Sequence, residues 1–290
     1  MAVAAPTLPA LVTPGTRALR QFARHRAAVA GLAVLAVAIA VSTAAPWLAP
    51  YNPIALDVIH PTAPPSAAHP LGTDELGRDI LSRLLWGGRD TLVITVAAVA
   101  IAFASGSALG IVAGYRGGTG DTVIMRIMDV LLAMPGFLLA VAIIAALGVG
   151  LVNVIIAIGI NSIPPFARIA RGSTLLVRQE TYVQAARALG ASERVIMARH
   201  VLPNILSPLV VEATLRLATA ILTASGLSFL GLGVQPPTAE WGAMLSVGRN
   251  YITSSPQLVV IPGVAILVVT LAFNMVGDGL RDALDPRQPT

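Results

Sequence analysis

Six apolar runs, each near the roughly 20 residues that an α-helix needs to cross a bilayer core, divide this chain. They cover Ala27–Ala49, Thr91–Gly114, Ile127–Leu147, Leu151–Ala170, Pro208–Val234 and Leu258–Gly277. Only 11% of the residues are charged, against about 25% in soluble domains. So little charge cannot clothe a globule in polar surface, so lipid must be the solvent for most of the chain. The expectation is an all-α, polytopic membrane protein with six transmembrane helices. Within the third run, Pro135-Gly136 predicts a kink, and Asp129 near its start reads with Arg126 as boundary charge. The fourth run is expected to end around Pro164-Pro165.

The residues divide into a tail (1–26), a first span (27–49), a loop (50–90), a five-helix core (91–277) that contains the loop 171–207, and a second tail (278–290). A cleaved signal peptide is an alternative for the first run, but its apolar stretch exceeds the usual ~7–15-residue signal core. With the N-terminus inside, fourteen of the nineteen arginines fall on inner segments. Arg78, Arg83, Arg89 and Arg249 lie outside, and Arg216 lies within a span. Both termini are therefore expected to be cytoplasmic, in the plasma (inner) membrane.

The net charge of +5 does not indicate nucleic-acid binding: aromatic residues make up 4% of the chain and the basic residues sit between apolar runs. The chain has no lysine, so it cannot supply a P-loop lysine or a lysine base. It has no cysteine, so it holds neither a disulfide nor a thiolate metal site. A metal site is not expected, and neither is a catalytic residue. Gly226-Leu227-Ser228-Phe229 superficially matches an intramembrane serine hydrolase, but no histidine falls in a predicted span to serve as its base. A passive channel would not require a structured inner loop.

Two outer segments carry structure of their own. In the loop 50–90, Ile80, Leu81, Leu84 and Leu85 recur at helical spacing beside Arg78, Asp79 and Arg83, which predicts a short amphipathic helix at the interface. In the segment 235–257, Trp241 and Tyr251 have rings suited to the headgroup region. Within the second span, Gly106, Gly110 and Gly114 stand four residues apart on one face, a strip that lets another helix approach closely.

The inner segment Glu180–Asn204 reads ETYVQAARALGASERVIMARHVLPN. Tyr182–Leu189 fits a short helix, with small residues at Ala185 and Ala186, and Gly190 suits a left-handed residue closing it. Ser192 is placed to cap a second helix, Glu193–Val201, which Pro203 is expected to end. Two short helices at a glycine corner make a rigid protrusion. Its arginines 187, 194 and 199 serve orientation and are available to acidic groups on a partner. Within the fifth span, Glu212 and Arg216 lie one turn apart, which predicts an intrahelical ion pair or a lining of the pathway. Asn161 and Ser162, beside Pro164-Pro165, are further pathway candidates.

The inner loop resembles the coupling loop of permeases of bacterial type I ATP-binding-cassette importers. There a Glu-Ala-Ala triplet is followed by a glycine and, further on, a proline; here these are Gln184-Ala185-Ala186, Gly190 and Pro203. Two positions depart from that pattern: Gln184 replaces the glutamate, and His200 stands where an aliphatic residue is usual. His69–Arg83 (HPLGTDELGRDILSR), Gly226–Leu245 and Phe273–Arg287 are similar to the second, "C"-type permease of dipeptide and oligopeptide importers. The resemblance implies a type I importer fold and a pairing with a second homologous permease. It also implies two ATPase subunits or domains, which would hold ATP and Mg, and an extracytoplasmic peptide-binding protein. The loop, through Tyr182, Gln184, Ala185, Ala186, Gly190, Ser192, His200 and Pro203, would couple the spans to the ATPases. The cargo it implies is di- or oligopeptides, with nickel, haem or glutathione as the alternative within the same family.

Overall fold

The computed structural model describes residues 14–284, with side chains from Leu19 onward. The rest of both tails, Arg287 included, lies outside the described residues. The described chain is helical apart from its connections and a single isolated bridge between Thr73 and Asp79. Among the described residues five helices are long and apolar enough to cross a membrane, and a bent pair makes a sixth crossing possible.

The basic leader forms α1 (Pro14–Arg24), and α2 (Arg26–Thr43) is the first span. His25 separates the two: its Nδ1 accepts the Ala28 N–H at 3.1 Å and caps α2. Near the same end α1 is tied to the last helix of the chain, where Gln21 donates to the Asp282 carbonyl at 3.1 Å. After the single turn α3 (Ala45–Leu48), the segment 49–79 runs without regular helix to α4 (Ile80–Arg116).

The expected amphipathic helix is not a separate element. Ile80–Leu85 forms the opening turns of α4 itself, with Asp79 accepting the Ser82 N–H at 2.7 Å as its cap. Arg78, Asp79 and Arg83 are buried rather than presented to water.

The third apolar run is broken, not kinked. Helices α5 (Gly118–Leu132) and α6 (Gly136–Leu147) meet at 92°. Pro135 cannot donate a hydrogen bond, and it also biases Met134 away from helical geometry. The boundary charge Asp129 pairs at 2.7 Å with Arg168, two helices further along the chain.

Helix α7 (Leu151–Val177) runs through Pro164-Pro165, contrary to the expected ending. In an apolar environment a chain that left the helix would strand backbone groups without water, so a helix packed on neighbours tolerates proline. Its neighbour is α4, and the predicted strip supplies the contact. A Cβ at Gly106 would sit 2.6 Å from the Ile163 carbonyl oxygen, at Gly110 2.3 Å from that of Ala167, and at Gly114 2.8 Å from that of Arg171.

Beyond the hairpin of α8 (Thr181–Ala188) and α9 (Glu193–Ile196), α10 (Leu202–Phe229) recrosses. The short α11 (Trp241–Gly248) and the long α12 (Gln257–Leu284) complete the fold. One buried cluster joins α4, α6, α7 and α10, and a second joins α2, α4, α10, α11 and α12. Trp241 is not a headgroup ring: it is buried in the second cluster, and its indole N–H donates to the Leu84 carbonyl at 2.9 Å.

Candidate functional site

The hairpin between α7 and α10 leaves the bundle without a slack connection. Arg178, just past α7, donates to the Gly114 carbonyl at 2.9 Å and pins the exit to the end of α4. Helix α8 follows within three residues. It closes as expected: Gly190 has φ +84°, the Gly190 N–H bonds the Arg187 carbonyl at 3.0 Å, and the Ala191 N–H bonds that of Ala186 at 3.1 Å. These paired bonds with a left-handed glycine satisfy carbonyls that the helix end would leave open.

Two local expectations need correction. Ser192 takes the N-cap backbone conformation, but its side chain makes no capping hydrogen bond. Pro203 does not end the second helix. Helix α9 widens into a π turn (Met197–Val201) and passes directly into α10, with Pro203 in the first turn. The widened turn gives room to a ring that would otherwise meet the carbonyl one turn earlier. The hairpin and the span are therefore one continuous helical path.

The inner face of this hairpin is part of the bundle core. Val183, Ile196 and Val201 are buried in the cluster formed by α4, α7 and α10. The outer face is bare: Leu189, at the corner, is 88% exposed, and Tyr182 and Val195 are also exposed. The Tyr182 and His200 rings lie 6.3 Å apart across the hairpin. Arg116, ending α4, pairs with Glu193 at 3.1 Å, and the Arg187 guanidinium lies 5.4 Å from the centre of the Tyr115 ring. Ala185 is exposed and Ala186 half-buried. Gln184 does not reach a charged group; its amide donates to the Gln179 carbonyl at 3.0 Å. It lines a cleft of about 480 Å³ with Tyr115, Arg178 and Arg187.

Glu212 and Arg216 form the expected ion pair, with Arg216 Nε 2.5 Å from Glu212 Oε1. Glu212 also faces a cavity of about 490 Å³ shared with Ile169, Val211 and Arg281. Arg281 comes from the far end of α12, and nothing in its local sequence signals that meeting. Asn161 and Ser162 stand apart from this cavity. Asn161 lies against Gly136 at the break between α5 and α6, where a Cβ would come within 2.6 Å of its Oδ1, and Ser162 is buried.

Two clusters escaped sequence reasoning. In the first, Arg78 donates to Asp74 and to Glu75, each at 2.7 Å, while Arg83 reaches Asp74 at 3.2 Å and the Pro53 carbonyl at 2.9 Å. Burial and the adjacent Asp74 push the Glu75 carboxyl above its ordinary range. The i,i+4 spacing of Asp74 and Arg78 was a usable signal.

The second cluster centres on Glu240, fully buried at the start of α11. It accepts the Gly242 and Ala243 N–H groups at 2.9 and 2.8 Å and the Thr91 hydroxyl at 3.2 Å. Burial raises its carboxyl above the ordinary range, and those hydrogen bonds oppose the shift.

Residues 106–288 match the family described as binding-protein-dependent transport system inner membrane component. Residues 13–65 match the N-terminal TM domain of oligopeptide transport permease C. The chain is 47% identical over 277 residues to a glutathione transport system permease protein of Pectobacterium atrosepticum, covering 95% of this chain and 92% of that one. To the glutathione transport system permease protein of Escherichia coli O157:H7 it is 48% identical over 276 residues, covering 95% and 91%. A probable D,D-dipeptide transport system permease protein of Escherichia coli K12 is 49% identical over 242 residues, covering 83% and 81%. Among solved structures, the inward-facing MetNI methionine ABC transporter superposes with a TM-score of 0.52 at 20% identity. That alignment covers 68% of this chain and 96% of that one, a likeness of fold.

Proposed function

The chain belongs to the binding-protein-dependent transport system inner membrane component family, and from that premise we propose that it forms half of an import pathway whose motion is driven through the 181–201 hairpin. It is a multi-pass, non-catalytic permease subunit of the C type, of a bacterial ABC importer for peptide-like substrates. In the proposed assembly a second permease supplies the other half of the pathway. Two ATPase subunits or domains supply ATP binding with Mg, and an extracytoplasmic binding protein delivers the cargo. Arginine asymmetry supports a cytoplasmic hairpin and cytoplasmic termini.

One observation carries the mechanical reading: the hairpin is helical from Glu193 into α10, so a push at its tip passes into the span along one helical path. A displaced corner must tilt α10, and a rigid-body rotation of this kind can switch which side of a pathway is open. The bare corner at Leu189 suits a recess on the ATPase. Because this chain has no lysine, the energy must come from those partners.

For the cargo, glutathione is favoured over the di- and oligopeptides that the resemblance implied. The relatives named for glutathione align over 95% of this chain, and the one named for D,D-dipeptides over 83%. Reconstitution of the four-part transporter with its binding protein tests both levels. ATP-dependent glutathione uptake that excess dipeptide does not suppress is the expected result. Uptake of dipeptide alone would reverse the cargo assignment, and uptake without ATP would overturn the importer reading.

In the pathway, Arg216, paired with the Glu212 that lines a cavity with Arg281, is proposed to meet a carboxylate of the cargo. Arg216→Ala should leave assembly intact and lower uptake by roughly tenfold, about 1.4 kcal/mol. Failure to assemble, judged by co-purification, would instead make the pair a structural neutralisation.

A further inference from the structure

Around the root of the hairpin, arginines meet carboxylates: Arg116 pairs with Glu193, and Arg171 takes both oxygens of Asp121 at 2.5 and 2.7 Å. Arg178 and Arg187 do not. Among the described residues Arg178 donates only to backbone, through Nη1, to the Gly114 carbonyl at 2.9 Å and the Tyr115 carbonyl at 3.4 Å. Its Nε and Nη2 have no acceptor there. Arg187 reaches only the Tyr115 hydroxyl, through Nη2 at 3.3 Å, and lies over the same ring. That phenol accepts from Arg187, and its own proton has no acceptor among the described residues. Both guanidiniums and the phenol line one cleft of about 480 Å³, and no carboxylate lines it with them.

A guanidinium presents its donors in a planar fork that matches the oxygens of a carboxylate or a phosphate. Two such forks and a phenol O–H at one cleft make a surface of donors that an oxyanion completes. The volume falls within the roughly 300–1,000 Å³ usual for small-molecule sites. Orientation separates the cleft from the corner. Val183, Gln184, Arg187 and Ala188, which wall it, share one flank of α8 at about 3.6 residues per turn. Tyr182 and Leu189, on the bare side of the hairpin, fall on the opposite flank. An ATPase seated on the bare side leaves the cleft to small solutes.

We propose that this cleft binds a small oxyanion, a dicarboxylate or a phosphate, between Arg178 and Arg187. Arg178 is fixed to the end of α4 and Arg187 rides on α8, so one ligand held by both clamps the hairpin to the bundle. The clamp resists the displacement that drives the spans, and turnover slows. That consequence rests on the coupling reading above; the site itself does not. Two sources supply the chemistry: carboxylates of cargo released inside, and phosphate from ATP hydrolysis.

Hydrogen–deuterium exchange of the assembled, nucleotide-free transporter in nanodiscs tests the site and separates the sources. Inorganic phosphate, succinate and glutathione are added one at a time, against sodium chloride at equal ionic strength. At least one should slow exchange of the amides from Val183 to Ala191 at least tenfold. Protection by phosphate alone assigns the site to the product of hydrolysis, and protection by succinate or glutathione assigns it to carboxylates. Arg187→Gln should raise the half-saturating concentration at least tenfold, and Tyr115→Phe, which keeps the ring, about threefold. No protection by any of the three anions overturns the site, as does equal half-saturation in wild type and Arg187→Gln. With ATP present, the protecting anion should at least halve the ATPase rate of the wild type and spare that of Arg187→Gln, each relative to its own rate in chloride. An unchanged wild-type rate overturns the clamp. Exchange is read without ATP, so failure of the site and failure of the coupling reading are separate results.

Discussion

Gly190→Val is expected to reduce ATP-driven uptake at least tenfold while the chain still inserts and assembles with its partners. The reason is conformational and local. Gly190 holds φ +84°, and a Cβ there would have open space around it, with no atom within 4 Å. No clash is involved; the effect is the cost of a β-branched residue in left-handed backbone, about 1–3 kcal/mol. The chain relieves that cost by giving up the paired turn bonds from Gly190 and Ala191, which turns a stiff corner into a soft one. The spans keep their packing because Gly190 and Leu189 themselves lie outside the buried clusters. Gly190→Asn is the informative control, since asparagine visits this backbone region readily. Uptake measured beside co-purification should separate the two substitutions. Equal uptake for valine and wild type would sink the coupling role of the hairpin.

Gly110→Leu should have the largest structural effect: no assembled, folded protein recovered in detergent. The Cβ alone would lie 2.3 Å from the Ala167 carbonyl oxygen, 2.6 Å from the Ala170 Cβ and 2.9 Å from the Arg171 nitrogen. Two of those three atoms are backbone, so no side-chain rotation can clear them. The helices must separate along the strip, and α7 carries the hairpin on its far end. Gly110→Ala, one methyl group, should still fold but lose about 1–3 kcal/mol, the usual cost of overpacking. Thermal unfolding in detergent reads both. An alanine variant as stable as wild type would mean that the close approach of α4 and α7 contributes little.

The contrast between these two glycines shows what kind of information a sequence carries. Gly190 was legible because the helix end, the glycine and the following helix are local, and local backbone preference decided the outcome. The strip at Gly106, Gly110 and Gly114 was legible as a face, but its partner was not. That α7 fills it, and does so with residues on both sides of Pro164-Pro165, depends on a non-local fit. The same fit explains why α7 did not end at those prolines. Pro203 misled in the same way: the π turn beside it let the helix continue.

At Pro135-Gly136 the sequence marked a disturbance but not its size, because 92° rather than a mild kink is set by what α6 packs against. Trp241, Arg78, Asp79 and Arg83 were read by residue type as interfacial. They are buried because segments more than a hundred residues apart close over them, with Trp241 reaching Leu84 and Arg83 near the Pro237 carbonyl.

By itself, then, the sequence determined the solvent, where the apolar runs lie, the glycine corner and the Glu212–Arg216 pair. Each follows from composition or from residues within one or two helical turns. Only the tertiary structure decided that the second helix of the hairpin is continuous with α10, that Arg281 joins Glu212 at one cavity, and that Trp241 is buried. Those outcomes depend on which helices lie side by side and how far each projects. Without water to satisfy the backbone within the bilayer, packing between helices overrides the local signals that would have ended or straightened them.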